Sequence, residues 1–114
     1  MEIDFENQRL KKDCNDERRM LKRYGSKRTK LLKRRLAQLR AAPTLATFHP
    51  PYSGPARCHE LKENRKGVLS VDLDHPYRLL FRPAHNPLPL RKEGRLDWGS
   101  VTAIVILGVE DTHE

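Results

Sequence analysis

The chain has 114 residues, 23 Lys/Arg against 15 Asp/Glu, a formal net charge of +8 and a sequence pI near 9.9. Apolar residues make up 37% and charged residues 33%, leaner and more charged than the usual roughly 45–50% and about 25%, so a single domain over residues 1–114 with a small core is expected. A transmembrane span needs about 20 apolar residues and is excluded, because the longest clean run is Ala103 to Val109. The opening Met1-Glu2-Ile3-Asp4-Phe5 lacks the basic-then-apolar layout of a secretory signal, which predicts a cytoplasmic chain without a membrane partner. Cys14 and Cys58 are then reduced thiols, buried or half-buried, and show no zinc-ligand spacing.

In chain order, Ile3 and Phe5 alternate with acidic residues, a short strand pattern. Asn7 can cap a helix over about 7–24, with a stripe of Leu10, Cys14, Glu17, Leu21 and Tyr24. Gly25 suits the left-handed end of that helix, and Ser26 can cap a second helix over about 27–42, striped by Leu32, Leu36 and Leu39 and stopped by Pro43. Residues 43–57, with Pro43, Pro50, Pro51 and Pro55, form an irregular connection. The period then changes to 2. Strands are predicted at Cys58–Lys62, Val68–Asp74, Tyr77–Arg82 and Val101–Val109, with a turn at Asn64–Gly67 and a long loop from Pro83 to Ser100. The last strand is apolar on both alternating sets and reads as central.

This order predicts an α+β fold. A short N-terminal strand and an antiparallel helix hairpin pack on one face of a mainly antiparallel sheet of four to five strands. The other face, with Ser70, Asp72, Arg78 and Arg82, is left to solvent or a ligand.

The charge is uneven. Residues 1–42 hold 14 Lys/Arg and 6 Asp/Glu, whereas residues 43–114 hold 9 of each. Such a basic stripe suits a polyanion or an acidic protein. Lys27, Arg28, Lys30, Lys33, Arg34 and Arg35 are its candidate RNA contacts, although a merely solvated helix surface carries the same signal.

The basic hairpin is followed by Arg57-Cys58-His59-Glu60-Leu61-Lys62, Val68-Leu69-Ser70-Val71-Asp72-Leu73, Tyr77-Arg78-Leu79-Leu80-Phe81 and the ending Val109-Glu110-Asp111-Thr112-His113. Taken in order over nearly the whole chain, these resemble the RelE/ParE superfamily of bacterial toxins, in the plasmid-maintenance killer-protein branch that includes HigB. The resemblance implies the toxin of a type II toxin–antitoxin system, a ribosome-dependent mRNA endonuclease that inhibits translation. It implies a cognate antitoxin as partner, a HigA-like helix-turn-helix protein through which alone operator DNA would be met. Two departures stand out. Ser70 and Asp72 occupy a strand on which RelE-like nucleases carry cations, and Thr112 replaces the Tyr common in the Asp-Tyr-His ending. Other superfamily members act on DNA gyrase without being nucleases, and charge alone would indicate only a basic nucleic-acid-binding module; both alternatives stay open here.

RNA cleavage through the neighbouring 2′-OH needs no metal or cofactor, and none is expected. It needs a base, a cation for the phosphorane and an acid for the leaving oxygen. Arg78 is the first candidate, mid-strand and able to hold two phosphate oxygens, and it matches the arginine that the family uses on the scissile phosphate. Its competing role is an ion pair with Asp72 across the sheet. His59 and His113 are the proton carriers, and Asp111 could orient His113 on Arg78's face. Lys62, Arg65, Lys66 and Arg82 are candidate RNA contacts near that face, with Lys30, Lys33 and Arg34 on the hairpin.

Overall fold

Strand β1 (Glu2–Phe5) leads into α1 (Gln8–Cys14), which Asn7 caps by accepting the Leu10 N–H at 2.9 Å. The computed structural model describes residues 1–62 and 65–112. The first predicted helix is not continuous. It stops at Asn15, and Asp16 caps a new start by accepting the N–H groups of Arg18 and Arg19. The break rotates the following turn, so Met20 is buried where Leu21 was expected, and Leu21 is 44% exposed.

Helix α2 (Glu17–Ala41) contains the predicted reversal. Gly25 sits at φ 81°, ψ 171°, a region that glycine reaches without steric cost. About 24 Å would separate Glu17 from Lys33 in a straight helix, yet their side chains pair at 2.5 Å. The two arms are therefore antiparallel.

The sheet has the order β1-β5-β4-β3-β2. Its other strands are β2 (His59–Glu60), β3 (Leu69–Asp72), β4 (Tyr77–Pro83) and β5 (Ala103–Asp111). β1 pairs with β5 in parallel and the remaining pairs are antiparallel. β2 and β3 are shorter than the alternation suggested, and Asn64 of the expected turn lies outside the described residues. β5 is central, as its two apolar faces require, and runs two residues beyond Val109. A bulge sits opposite Leu80/Phe81, and Gly108 there adopts φ 145°.

Leu32, Leu36 and Leu39 are buried in one cluster with Leu69, Leu73, Leu79, Phe81, Ile104 and Ile106. The hairpin thus covers one sheet face, which is the predicted packing of this α+β fold. The opposite face is less open than expected. Ser70 and Leu80 are fully buried on it, because the 52–58 segment lies over the β2–β3 edge: Tyr52 N–H donates to Cys58 O and Asp72 N–H to Ala56 O.

Candidate functional site: a charged row on the sheet face opposite the helices

Strand register builds the site. Asp72, Arg78 and Glu110 are cross-strand partners on β3, β4 and β5, and directly opposed residues share a face. Arg57 flanks Asp72 at 3.2 Å, and Arg65 makes a two-pronged pair with Glu110 at 2.8 and 3.3 Å. The result is a row of alternating charge: Arg57, Asp72, Arg78, Glu110, Arg65. Arg78 Nε lies 3.4 Å from Asp72 Oδ1. That is ion-pair range without a hydrogen bond, since Asp72 Oδ1 is buried and has no hydrogen-bond partner among the described residues.

A second row crosses the same face one step along, formed by His59, Ser70, Leu80 and Gly108. Arg78 bridges the rows. Its Nη1 lies 3.4 Å from His59 Nε2, and it reaches over β3 where Ser70 presents only a small side chain. His59 Nδ1 is 2.7 Å from the Arg57 carbonyl, which accepts only if Nδ1 carries the proton. With Arg78 Nη1 as the donor to Nε2, the assigned tautomer carries its proton on Nδ1 and turns the Nε2 lone pair to Arg78. At Gly108 a Cβ would meet nothing within 4 Å, so there is open space at that position.

The segment over His59 is strained. Tyr52 (φ 67°) and Arg57 (φ 46°) are the non-glycine residues with positive φ among the described residues, a conformation that costs of order 1–3 kcal/mol each and clusters at functional sites. The Tyr52 ring stacks on His59 with centroids 4.0 Å apart and planes at 16°, and Arg57 lies 5.1 Å from the Tyr52 centroid. Arg35 holds the segment from the helix side, donating to Pro55 O at 3.2 Å and to Asp72 O at 2.7 Å. Burial, with Arg34 nearby, lowers the Arg35 pKa from its ordinary value.

The predicted site residues divide. Arg78 and His59 come together, and the Asp72 pair is present as well. Asp111 does not join them: it pairs in register with Tyr77, which packs with Val109 against the core, and Glu110 takes the place on Arg78's face. The expected alternation was displaced by the bulge at Gly108. His113 lies outside the described residues. Lys62, Arg65 and Lys66 are exposed on the β2–β3 connection. Arg82 shares Arg78's side of β4 and lies 3.9 Å from Glu6. Lys30, Lys33 and Arg34 are exposed on the hairpin, away from the charged rows, and Lys33 is held by Glu17. Two hairpin cations are not surface contacts: Arg35 is buried, and Arg28 pairs with Asp74 at 3.0 and 3.1 Å over the Tyr77 ring.

Sequence reasoning missed Tyr52, Arg57 and Glu110, and read Arg35 as an RNA contact rather than as the buried support of the 52–58 segment. Only Glu110 had a usable signal, as the neighbour of Asp111 on a strand whose register was unknown. No group of three or more His, Cys, Asp or Glu side chains among the described residues could hold a metal.

No protein-family model matches the chain, and no curated protein matches its sequence. A solved structure does match: a YoeB/ParE toxin from Agrobacterium tumefaciens superposes at TM-score 0.56 with 12% identity, over 99% of this chain and 100% of that one. This is a RelE/ParE-like fold. The likeness covers both helices and all five strands, so the charged rows lie on a complete RelE/ParE-like sheet. Among the described residues no helix is long and apolar enough to cross a membrane.

Proposed function

We propose that this chain is the toxin of a type II toxin–antitoxin pair, of the HigB-like branch, and acts in the cytoplasm as a metal-independent, ribosome-dependent mRNA endonuclease. The observation that carries this reading is the Arg78–His59 contact on the sheet face away from the helices. A neutral imidazole with its lone pair beside a guanidinium supplies a base and an oxyanion partner within one phosphate's width. In this mechanism Arg78 Nη1 turns from His59 Nε2 to the phosphate, the freed Nε2 lone pair takes the 2′-OH proton and the 2′ oxygen attacks phosphorus. Arg78 steadies the phosphorane. The bond to the 5′ oxygen then breaks, leaving a 2′,3′-cyclic phosphate. The proton for that oxygen is assigned to His113 by the resemblance. Lys62, Arg65, Lys66 and Arg82 would hold flanking phosphates. The antitoxin is a HigA-like helix-turn-helix protein that alone contacts operator DNA.

One observation favours a second reading, a non-enzymatic toxin acting on DNA gyrase. Asp72 and Glu110 flank Arg78 in register and offset the field that a phosphate would meet. A purified translation system separates the two. New mRNA 5′ ends that require ribosomes, and that disappear with Arg78→Ala, are the expected result. Intact mRNA together with loss of gyrase supercoiling would favour the second reading.

A further inference from the structure

We infer that the junction of α1 and α2 is a second RNA site, a phosphodiester-binding groove built on Asp13 and separate from the Arg78 row. Asp13 is buried, 1% exposed, at the end of α1. Its two oxygens take three guanidiniums: Arg19 at 2.9 Å on Oδ1, and Arg23 at 2.6 Å and Arg9 at 3.4 Å on Oδ2. One buried carboxylate needs one counter-charge, and this one has three. Arg19 and Arg23 line a groove with Asp13 and Lys22, and Lys22 has no anionic partner among the described residues. The groove therefore carries an uncompensated excess of positive charge. Arg9, Arg19 and Arg23 are each about half exposed. Arg9 and Arg23 each use one nitrogen on Asp13 and Arg19 uses Nε and Nη2, so each has a further nitrogen for an outside acceptor. Asp13 thus acts as an internal template that fixes three forks and leaves their outer donors for phosphate oxygens.

A nucleic-acid backbone fits this surface better than an acidic protein does. Protein interfaces centre on apolar and aromatic anchors, and among the described residues Leu21 is the only exposed large apolar side chain on the hairpin. The polyanion is identified as RNA on the reading of the preceding subsection; the charge geometry itself does not depend on that reading.

The test measures binding rather than cleavage. The full-length protein is titrated into a fluorescein-labelled single-stranded RNA between 50 and 200 mM salt, and again into a poly-glutamate peptide; these conditions span the range in which phosphate contacts are read by salt. The Arg19→Gln/Arg23→Gln double variant should bind RNA roughly tenfold more weakly. Its log–log salt slope should be shallower by about 1.4, from roughly 0.7 per lost single-strand phosphate contact. Lys22→Gln, which makes no ion pair with Asp13, should shift both in the same direction by less, and serves if the double variant does not fold. Unchanged RNA affinity and slope in these variants overturn the groove alone. A wild-type protein that binds no RNA overturns the preceding reading as well. Loss confined to the poly-glutamate peptide assigns the surface to an acidic protein and also overturns it.

Discussion

The Arg78 guanidinium crosses β3 to lie 3.4 Å from His59 Nε2, while its Nε stays in ion-pair range of Asp72. Arg78 is thus held at two points and has Nη2 left for a substrate oxygen. Arg78→Ala should lower cleavage by about 10²–10³, the effect of losing one oxyanion donor, about 2.7–4 kcal/mol. His59→Gln keeps a polar side chain and loses the base. If the two act in one site, the Arg78→Ala/His59→Gln double variant should be little slower than the worse single. Single-turnover rates on programmed ribosomes measure this, and fully additive losses would mean separate sites.

Leu36 faces the core from the second arm of the hairpin and is 2% exposed. Leu36→Ala should destabilise the fold by about 2–5 kcal/mol, through lost transfer energy and the cavity left behind. Urea unfolding measures it. A change under about 1 kcal/mol would mean that the hairpin collapses onto the sheet more readily than close packing allows.

The hairpin, its reversal and the central place of the last strand were legible because periodicity reports burial directly. Gly25 and Leu32/Leu36/Leu39 announced the turn and the buried stripe, and Leu69, Val71 and Leu73 announced the sheet face. The break at Asn15–Asp16 was hidden because the Leu10/Cys14/Leu21 spacing continues formally through it; only the Asp16 cap reveals the shift. The Arg78 half of the site was legible from its mid-strand place. Its surroundings were not, because Tyr52, Arg57 and Arg35 reach the site through an irregular loop and a buried guanidinium that carry no period. Glu110 replaced Asp111 because one bulge changes which residues share a face.

Arg28 ties the hairpin to the β3–β4 turn. It pairs with Asp74 through two hydrogen bonds, and its guanidinium carbon lies 3.4 Å from the Tyr77 ring centroid. The Arg28 pKa is raised chiefly by the Asp74 hydrogen bond. For Asp74 burial pushes upward, but the hydrogen bonds from Arg28 and the backbone outweigh it, and its pKa is lowered below 3.8. A depressed carboxylate contributes stability that is present above its unfolded value and lost as pH falls through the folded one. Arg28→Ala should cost about 1–2 kcal/mol at pH 7 and flatten the loss of stability below pH 3.8. A variant that keeps the full acid dependence would show that Asp74 is held by something else.

Burial pushes the Cys58 thiol up to about 12 and the Cys14 thiol up to about 11, with Glu60 adding to the first and Asp13 to the second. Both are buried and free. Because thiolate is the reactive form, neither should react with Ellman's reagent at pH 8 in the native protein, and both should react in urea. The folded state keeps these protons where the unfolded state loses them, so stability should fall as pH rises from 9.0 toward 11–12. Rapid native labelling at pH 8 would place a thiol at the surface.

Tyr52 is the residue whose backbone and ring make opposite demands. Its left-handed φ of 67° costs energy, while its ring covers an imidazole that is 2% exposed and is itself 43% exposed. Stacking needs the ring and not the hydroxyl, so Tyr52→Phe should keep cleavage near wild type. Tyr52→Ala should uncover His59 and free its ring to turn, lowering cleavage about tenfold, roughly what loose positioning of one catalytic group costs. Tyr52→Gly loses the same stack but removes the left-handed penalty, so it should be more stable than Tyr52→Ala by about 1 kcal/mol. Equal stability of the Gly and Ala variants would show that the loop relaxes and that Tyr52 is not held under strain. If Tyr52→Ala instead cleaves faster than wild type, the ring blocks His59 rather than positioning it.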